Sequence, residues 1–215
     1  VDLLTQMNIL YIAEYNSGKI SKIDLTAPTP IITDVITGVD HPSHLLLNGN
    51  DLYISEASAN KVSKIDISLS SPTLTDVITG LSVPDGLLLY GNNLYITEIS
   101  GNKISKIDIS VPSPVLTNVI TGLNGPIDLV LNGVDIYFVE FNAGKISKFD
   151  VTAPVPIPTN VITGLTQPSR ILLNANDLYI AEYGTGKLLK YSFVFTGLDE
   201  ISSVEAINLY PNPTN

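Results

Sequence analysis

A chain of 215 residues with a net charge of −10 and an isoelectric point near 4.4 is a poor partner for the phosphate backbone of nucleic acids or for an anionic membrane, and would sooner attract cations. It is 44% hydrophobic, yet the apolar residues come in short runs, far below the roughly 20 needed to cross a bilayer, so no membrane span is expected. Cysteine is absent, which excludes disulfides and thiolate chemistry.

In chain order, the stretch LYIAEYNSGKISKID at 10–24 returns as LYISEASANKVSKID at 52–66 and LYITEISGNKISKID at 94–108. Two further copies follow, IYFVEFNAGKISKFD at 136–150 and LYIAEYGTGKLLKYS at 178–192. Tyr11, Tyr53, Tyr95, Tyr137 and Tyr179 fix the period at 42 residues without drift, and five periods account for 210 of the 215 residues. A period in the low forties, rich in β-branched residues and short turns, predicts one four-stranded propeller blade per repeat.

The second repeat shows how a blade is written. HLLLNG (44–49) reads as an apolar first strand ending in an Asn-Gly turn, and DLYISE (51–56) as a second strand alternating in period two. After the turn ASAN (57–60) come a third strand, KVSKIDI (61–67), a Pro- and Ser-rich connection, and a last strand, TDVITG (75–80). Val1 to Thr5 supply the first strand of the first blade. In the fifth repeat the last strand falls on SVEAI (203–207), with FVFTGL (193–198) as a rival, and the closure of the ring stays open. The expectation is an all-β, five-bladed β-propeller over residues 1–201, with blades near 1–41, 42–83, 84–125, 126–167 and 168–206, and a tail at 202–215.

Each repeat ends its second strand in a glutamate: Glu14, Glu56, Glu98, Glu140 and Glu182. Each also carries two lysines in the third strand, and these five pairs are all ten lysines. Glu14 and Lys19 flank a four-residue turn and should face each other across the hairpin, where opposite charges contribute about 0.2–1 kcal/mol. The other reading is that five carboxylates, joined by Asp85, ring one mouth of the channel and hold Ca²⁺ or Mg²⁺ through oxygen ligands.

The repeats diverge two residues after the proline that opens the first strand, where Asp2, His44, Gly86, Asp128 and Arg170 occupy equivalent places. The chain's one arginine and one of its two histidines sit here, and the other histidine, His41, lies three residues away. His41, His44, Asp85, Asp128 and Arg170 are therefore expected to gather at one channel mouth: carboxylates for a cation, imidazole for acid–base work, guanidinium for an anionic group.

The blade motif, a proline-led apolar strand followed by G-N-x-L-Y-I-x-E and N-K-I-S-K-I-D, resembles the streptogramin lyase type of propeller and the NHL and gluconolactonase-like group. The resemblance runs through all five repeats and implies a propeller fold; in both enzymatic groups it implies a divalent cation held at the channel mouth, although such enzymes typically have six or seven blades. The stretch INLYPNPTN (207–215) resembles the opening of the C-terminal sorting domain of cargo of the Bacteroidetes type IX secretion system, carried by Ile207, Leu209, Tyr210, Pro211, Asn212 and Pro213. It implies a secreted or surface-displayed protein. Two functions follow as expectations. One is a divalent-cation-dependent lactonase, esterase or C–O lyase, with His44 as base, His41 beside it, Asp128 on the ion and Arg170 as anion clamp. The other is a non-catalytic propeller binding a glycan, peptide or surface partner.

Overall fold

The computed structural model describes residues 1–195 and 200–207 and contains twenty strands and no helix among them. The first sheet comprises β1 (Asp2–Gln6), β2 (Ile9–Glu14), β3 (Lys19–Asp24) and β4 (Ile32–Thr37). The second comprises β5 (Pro42–Asn48), β6 (Asp51–Glu56), β7 (Lys61–Asp66) and β8 (Thr75–Thr79). The third comprises β9 (Pro84–Tyr90), β10 (Asn93–Glu98), β11 (Lys103–Asp108) and β12 (Thr117–Thr121). The fourth holds β13 (Pro126–Asn132), β14 (Asp135–Glu140), β15 (Lys145–Asp150) and β16 (Thr159–Thr163). The fifth holds β17 (Pro168–Asn174), β18 (Asp177–Glu182), β19 (Lys187–Phe195) and β20 (Glu200–Ile207).

Every sheet is antiparallel and ordered as the chain runs, so the five blades of the expected β-propeller are present. The ambiguity at the fifth blade resolves as two strands: Phe193–Phe195 prolongs β19, and Ser203–Ile207 falls in β20, which pairs with it from Leu188↔Ile207 to Phe195↔Glu200. Residues 208–215, which carry most of the sorting-domain resemblance, lie outside the described residues.

The chain divides into two compact units, Val1–Thr121 with three blades and Gly122–Asn215 with two. Within the first unit, successive blades pack by one rule. Tyr11, Ala13 and Ile20 of the first blade meet Leu45, Leu52, Ile54 and Ile65 of the second. Tyr53 and Val62 of the second then meet Leu87, Leu94, Ile96 and Ile107 of the third. In the second unit the corresponding Tyr137, Val139, Ile146, Ile171, Leu178 and Ile180 are all buried. Burying each large aliphatic side chain contributes about 1.5–3 kcal/mol, so the seams between blades, more than the hydrogen-bonded ladders, hold each unit together.

Local chemistry sets the loops. The residue before each strand-opening proline is left-handed: His41 (φ 52), Val83 (φ 54), Gly125 (φ 65) and Gln167 (φ 51). Their carbonyls accept the backbone N–H of Ala57, Ile99, Phe141 and Tyr183, the residue that follows the repeat glutamate. At the end of the third strand in the first four blades, Asp24, Asp66, Asp108 and Asp150 accept both the hydroxyl and the N–H of the Thr or Ser two residues on, which turns the chain toward the fourth strand.

Candidate functional site

The repeat holds one glutamate constant in every blade. Glu56 and Glu98, each 1% exposed, and Glu140 are buried at the ends of β6, β10 and β14, where three kinds of donor converge on each carboxylate. Glu56 Oε1 accepts the Ser63 hydroxyl and lies 3.4 Å from Lys61 Nζ, while its Oε2 accepts the Asp40 N–H at 2.8 Å. Glu98 repeats this with Ser105 at 2.5 Å, Lys103 at 3.3 Å and the Ser82 N–H at 2.9 Å. Glu140 does so with Ser147 at 2.9 Å, Lys145 at 3.0 Å and the Asn124 N–H at 3.0 Å.

The end blades vary the theme. Glu14 takes the hydroxyls of Ser21 and Ser17 and lies 3.5 Å from Lys19. The Ser21 hydrogen bond above all, with Lys19 and Ser17 adding, holds the Glu14 carboxyl below the usual carboxylate range against the opposing effect of desolvation. Glu182, whose blade has Leu189 in place of the serine, instead accepts the Thr185 hydroxyl and the Thr166 N–H, both at 2.7 Å.

The pairing of glutamate with lysine across the hairpin is thus observed in four blades, at 3.0–3.5 Å. A bulge in the fourth strand also brings Asp34 and Asp76 to 2.7 Å from Lys19 and Lys61, an arrangement that raises the lysines' pKa, most of all through that hydrogen bond. With serine, lysine and backbone N–H already on them, the glutamates do not fit as ligands of a shared cation. Among the described residues no three His, Asp or Glu side chains form a group that could hold a metal. Asp85, the sixth expected ligand, is buried, and its backbone carbonyl accepts the Ser55 hydroxyl at 2.6 Å.

The variable position tells more. Asp2 Oδ2 accepts the N–H of Leu45 at 2.8 Å, and Asp128 Oδ2 accepts the N–H of Ile171 at 2.9 Å. Each aspartate thereby ties the first strand of its own blade to the first strand of the next. The second oxygen of Asp128 accepts the Leu129 N–H at 2.9 Å, so both oxygens of this 3% exposed carboxylate are engaged. Arg170 donates from Nη1 to the Ser169 carbonyl at 3.1 Å and lines an apolar cavity of about 570 Å³ on the fifth blade.

His44 departs from the pattern. It stands where the flanking repeats have Asp2 and Gly86, on a strand whose register shifts between Pro42 and His44. Its side chain is 15% exposed, and its Nδ1 lies 3.7 Å from Asp2 Oδ2, beyond hydrogen-bonding distance. Among the described residues that nitrogen is the one buried side-chain polar atom without a hydrogen-bond partner. His41 is the more open imidazole: its Nδ1 is 2.7 Å from Asp40 Oδ1, and its ring meets Tyr15 edge-on at 4.7 Å.

Of the expected site residues, His41, His44 and Asp85 belong to the first unit and Asp128 and Arg170 to the second. Two kinds of participant carry little signal in the sequence. Asp2, although noted in the variable position, becomes significant only through its reach to His44 and Leu45. The third-strand serines 21, 63, 105 and 147 were visible in the repeat as the S of KIS-K and KVS-K, next to the lysines that drew attention.

No protein-family model matches the chain, and no curated protein matches it. Solved structures do. A nidogen–laminin complex aligns with a TM-score of 0.75 and 16% identity over 89% of this chain and 75% of that one. Virginiamycin B lyase from Staphylococcus aureus aligns with a TM-score of 0.72 and 20% identity, over 97% of this chain and 70% of that one. A catalytically inactive His-to-Ala variant of that lyase, solved with quinupristin, also aligns at 0.72, with 17% identity over 99% of this chain and 70% of that one. Likeness at such identities shows architecture alone: the chain is a β-propeller built on the same plan as these proteins.

Proposed function

We propose that the chain is a secreted or surface-exposed propeller with lyase-like or lactonase-like acid–base chemistry centred on His44. One observation carries this reading: a buried imidazole nitrogen without a partner, 3.7 Å from the Asp2 carboxylate. Leaving such an atom unsatisfied costs about 1–3 kcal/mol. The repeat has a cheaper occupant for the place, since aspartate at the equivalent position clamps the next strand twice over. A side chain that departs from a working structural solution at such a cost is a candidate for chemistry.

Neutral imidazole is a base near pH 7. When a ligand draws the pair together, Nδ1–H donates to Asp2, which fixes the tautomer and leaves Nε2 to take a proton. In a C–O lyase step that proton comes from the carbon beside a carbonyl. Its electron pair forms the new C=C bond, and the C–O bond breaks as the leaving oxygen collects a proton. In lactone hydrolysis the same nitrogen takes its proton from an attacking water. Asp2 is a positioning residue in either case. A bound divalent cation would add Lewis-acid charge, but the glutamates, already held by serine, lysine and backbone donors, do not fit one. The tail's resemblance to a sorting domain supports the extracellular setting.

A second reading is favoured by the nidogen–laminin likeness and by the near-equivalence of the blades: a non-catalytic propeller that binds a protein or glycan. The two part in one assay. The purified chain is tested on quinupristin, the compound bound in the lyase complex, and on a panel of lactones and esters. Turnover that falls at least a hundredfold in His44→Ala, with the melting temperature unchanged or slightly raised, supports the catalytic reading. A wild-type chain inactive across the panel overturns it and leaves the binding module.

A further inference from the structure

The strands β5, β9, β13 and β17 are edge strands, each hydrogen-bonded to a single neighbour. In them the pairs Leu45↔Ile54, Leu87↔Ile96, Leu129↔Phe138 and Ile171↔Ile180 stand at one register. Counted from the two-residue turns these are non-hydrogen-bonded pairs, so the N–H of each edge-strand residue points out of its sheet. Leu45, Leu87, Leu129 and Ile171 are all buried, Leu87 at 2% exposure, and a buried N–H calls for an acceptor. Three of them have one. Asp2 accepts the Leu45 N–H, and Asp128 accepts those of Leu129 and Ile171, at 2.8–2.9 Å. Among the described residues none accepts the N–H of Leu87. Leu87 follows His44 by the same 43 residues that separate Leu45 from Asp2 and Ile171 from Asp128, so His44 holds the place from which a carboxylate would reach it. The imidazole makes no such bond, and its Nδ1 lies 3.7 Å from Asp2 instead. The residue before Leu87 is Gly86, where the other repeats carry Asp, His, Asp and Arg, so no side chain from that position covers the amide.

We propose that the Leu87 N–H is the donor for the carbonyl oxygen of the compound on which His44 acts, which makes that compound a lactone, an ester or another carbonyl derivative. The inference rests on the reading of His44 as a base and deepens it. The two groups without partners lie on β5 and β9, neighbouring strands of one seam, and their uses are complementary. The imidazole takes a proton, and the amide meets the charge left behind. When Nε2 removes the proton beside the carbonyl, the C–H electron pair forms a carbon–carbon double bond and the carbonyl π pair moves onto oxygen, against the Leu87 N–H. As the C–O bond breaks, the carbonyl re-forms and the pair shifts into the new C=C bond. In lactone hydrolysis the same oxygen carries the charge of the tetrahedral adduct. A backbone donor fixed on a strand is already aimed where that charge develops and needs no reorganisation.

The test follows the Leu87 amide by NMR in the ¹⁵N-labelled full chain. The probe is 2-pyrrolidinone, a lactam that offers a lactone-like carbonyl and resists hydrolysis. On titration the Leu87 resonance should move downfield and saturate, while that of Leu45, already held by Asp2, stays in place. His44→Asn brings an acceptor oxygen to the amide without adding a second carboxylate beside Asp2. It should move the Leu87 resonance downfield before any probe is added and weaken probe binding about tenfold. His44→Ala should keep the response, because the donor belongs to the backbone. A Leu87 resonance that the probe leaves unmoved overturns the proposal, and so does undiminished probe binding in His44→Asn. Turnover that is lost in His44→Ala beside a silent Leu87 amide would remove the amide's role and leave the base standing. A responsive amide in a chain without turnover would support the carbonyl site and remove the base.

Discussion

Asp128 ties its blade to the next by accepting the backbone N–H of Ile171 at 2.9 Å while also holding the Leu129 N–H. The expected catalytic carboxylate is thus engaged in a buried clamp. Asp128→Ala should lower stability by about 2–4 kcal/mol, because two amides in a closed site lose their acceptor. Asp128→Asn keeps one acceptor oxygen and should cost less. Urea unfolding of the three proteins checks this, and an alanine variant with wild-type stability would remove the clamp.

The glutamate network makes an ordered set of penalties. Ser63→Ala deletes one donor and should cost about 1 kcal/mol, whereas Glu56→Ala strands the Asp40 N–H, leaves the Ser63 hydroxyl and the Lys61 ammonium to Asp76 alone, and should cost about 2–3 kcal/mol. Adding chelator, then Ca²⁺, should leave the melting temperature of the wild type unchanged. An upward shift with Ca²⁺ would show a cation bound to the folded state.

At Gly144 the backbone is left-handed (φ 61), and an added Cβ would stand 2.3 Å from the Leu165 carbonyl oxygen. Gly144→Ala should therefore destabilise by about 1–3 kcal/mol. Gly144→Asn should be milder, since Asn60 and Asn102 hold the same turn position at φ 54 and 49. Equal losses for the two substitutions would mean that the carbonyl, and not the dihedral, sets the penalty.

Acid and base should act on different groups. The hydroxyls, then the N–H groups, of Thr26, Ser68, Ser110 and Thr152 hold Asp24, Asp66, Asp108 and Asp150 below the usual carboxylate range, and the Lys61 hydrogen bond does the same to Asp76. A depressed folded-state value stabilises above the unfolded pKa of about 4, and that contribution fades as pH falls through the folded values. Lys19, Lys61 and Lys64 are raised, foremost by hydrogen bonds to Asp34, Asp76 and Asp51. Their contribution is full below about pH 10.4 and fades as pH rises through the folded values. Urea midpoints should form a plateau from about pH 5 to 9 and fall on both sides, by little per group because these pairs are solvated. Midpoints that climb below pH 4 would contradict this assignment.

The fold was legible because a drift-free spacing of Tyr11, Tyr53, Tyr95, Tyr137 and Tyr179 can be met only by identical units. The pairing of Glu14 with Lys19 was legible because both residues lie on one hairpin. Asp2 and Asp128 were harder to interpret. Their partners, Leu45 and Ile171, lie 43 residues on, and nothing local distinguishes a carboxylate that reaches across a joint from one that faces solvent. The third-strand serines were hidden for another reason: serine is common on strands, and only the burial of the glutamate opposite gives its hydroxyl work. The particular place of His44 was visible as a departure from the repeat, whereas its unpartnered nitrogen is a property of the packed joint.

The glutamates also fix where one repeat ends and the next begins. Val39 hydrogen-bonds back to Gly18 of the first blade, but Asp40, the very next residue, is held by Glu56 of the second. The handover recurs between Leu81 and Ser82, and between Leu165 and Thr166. A gene segment cut at those points encodes a cassette that brings its own anchor for its own entry loop. Duplicating or deleting such a cassette breaks no glutamate contact and recreates the same seam, so blade number can change in whole steps of 42 residues.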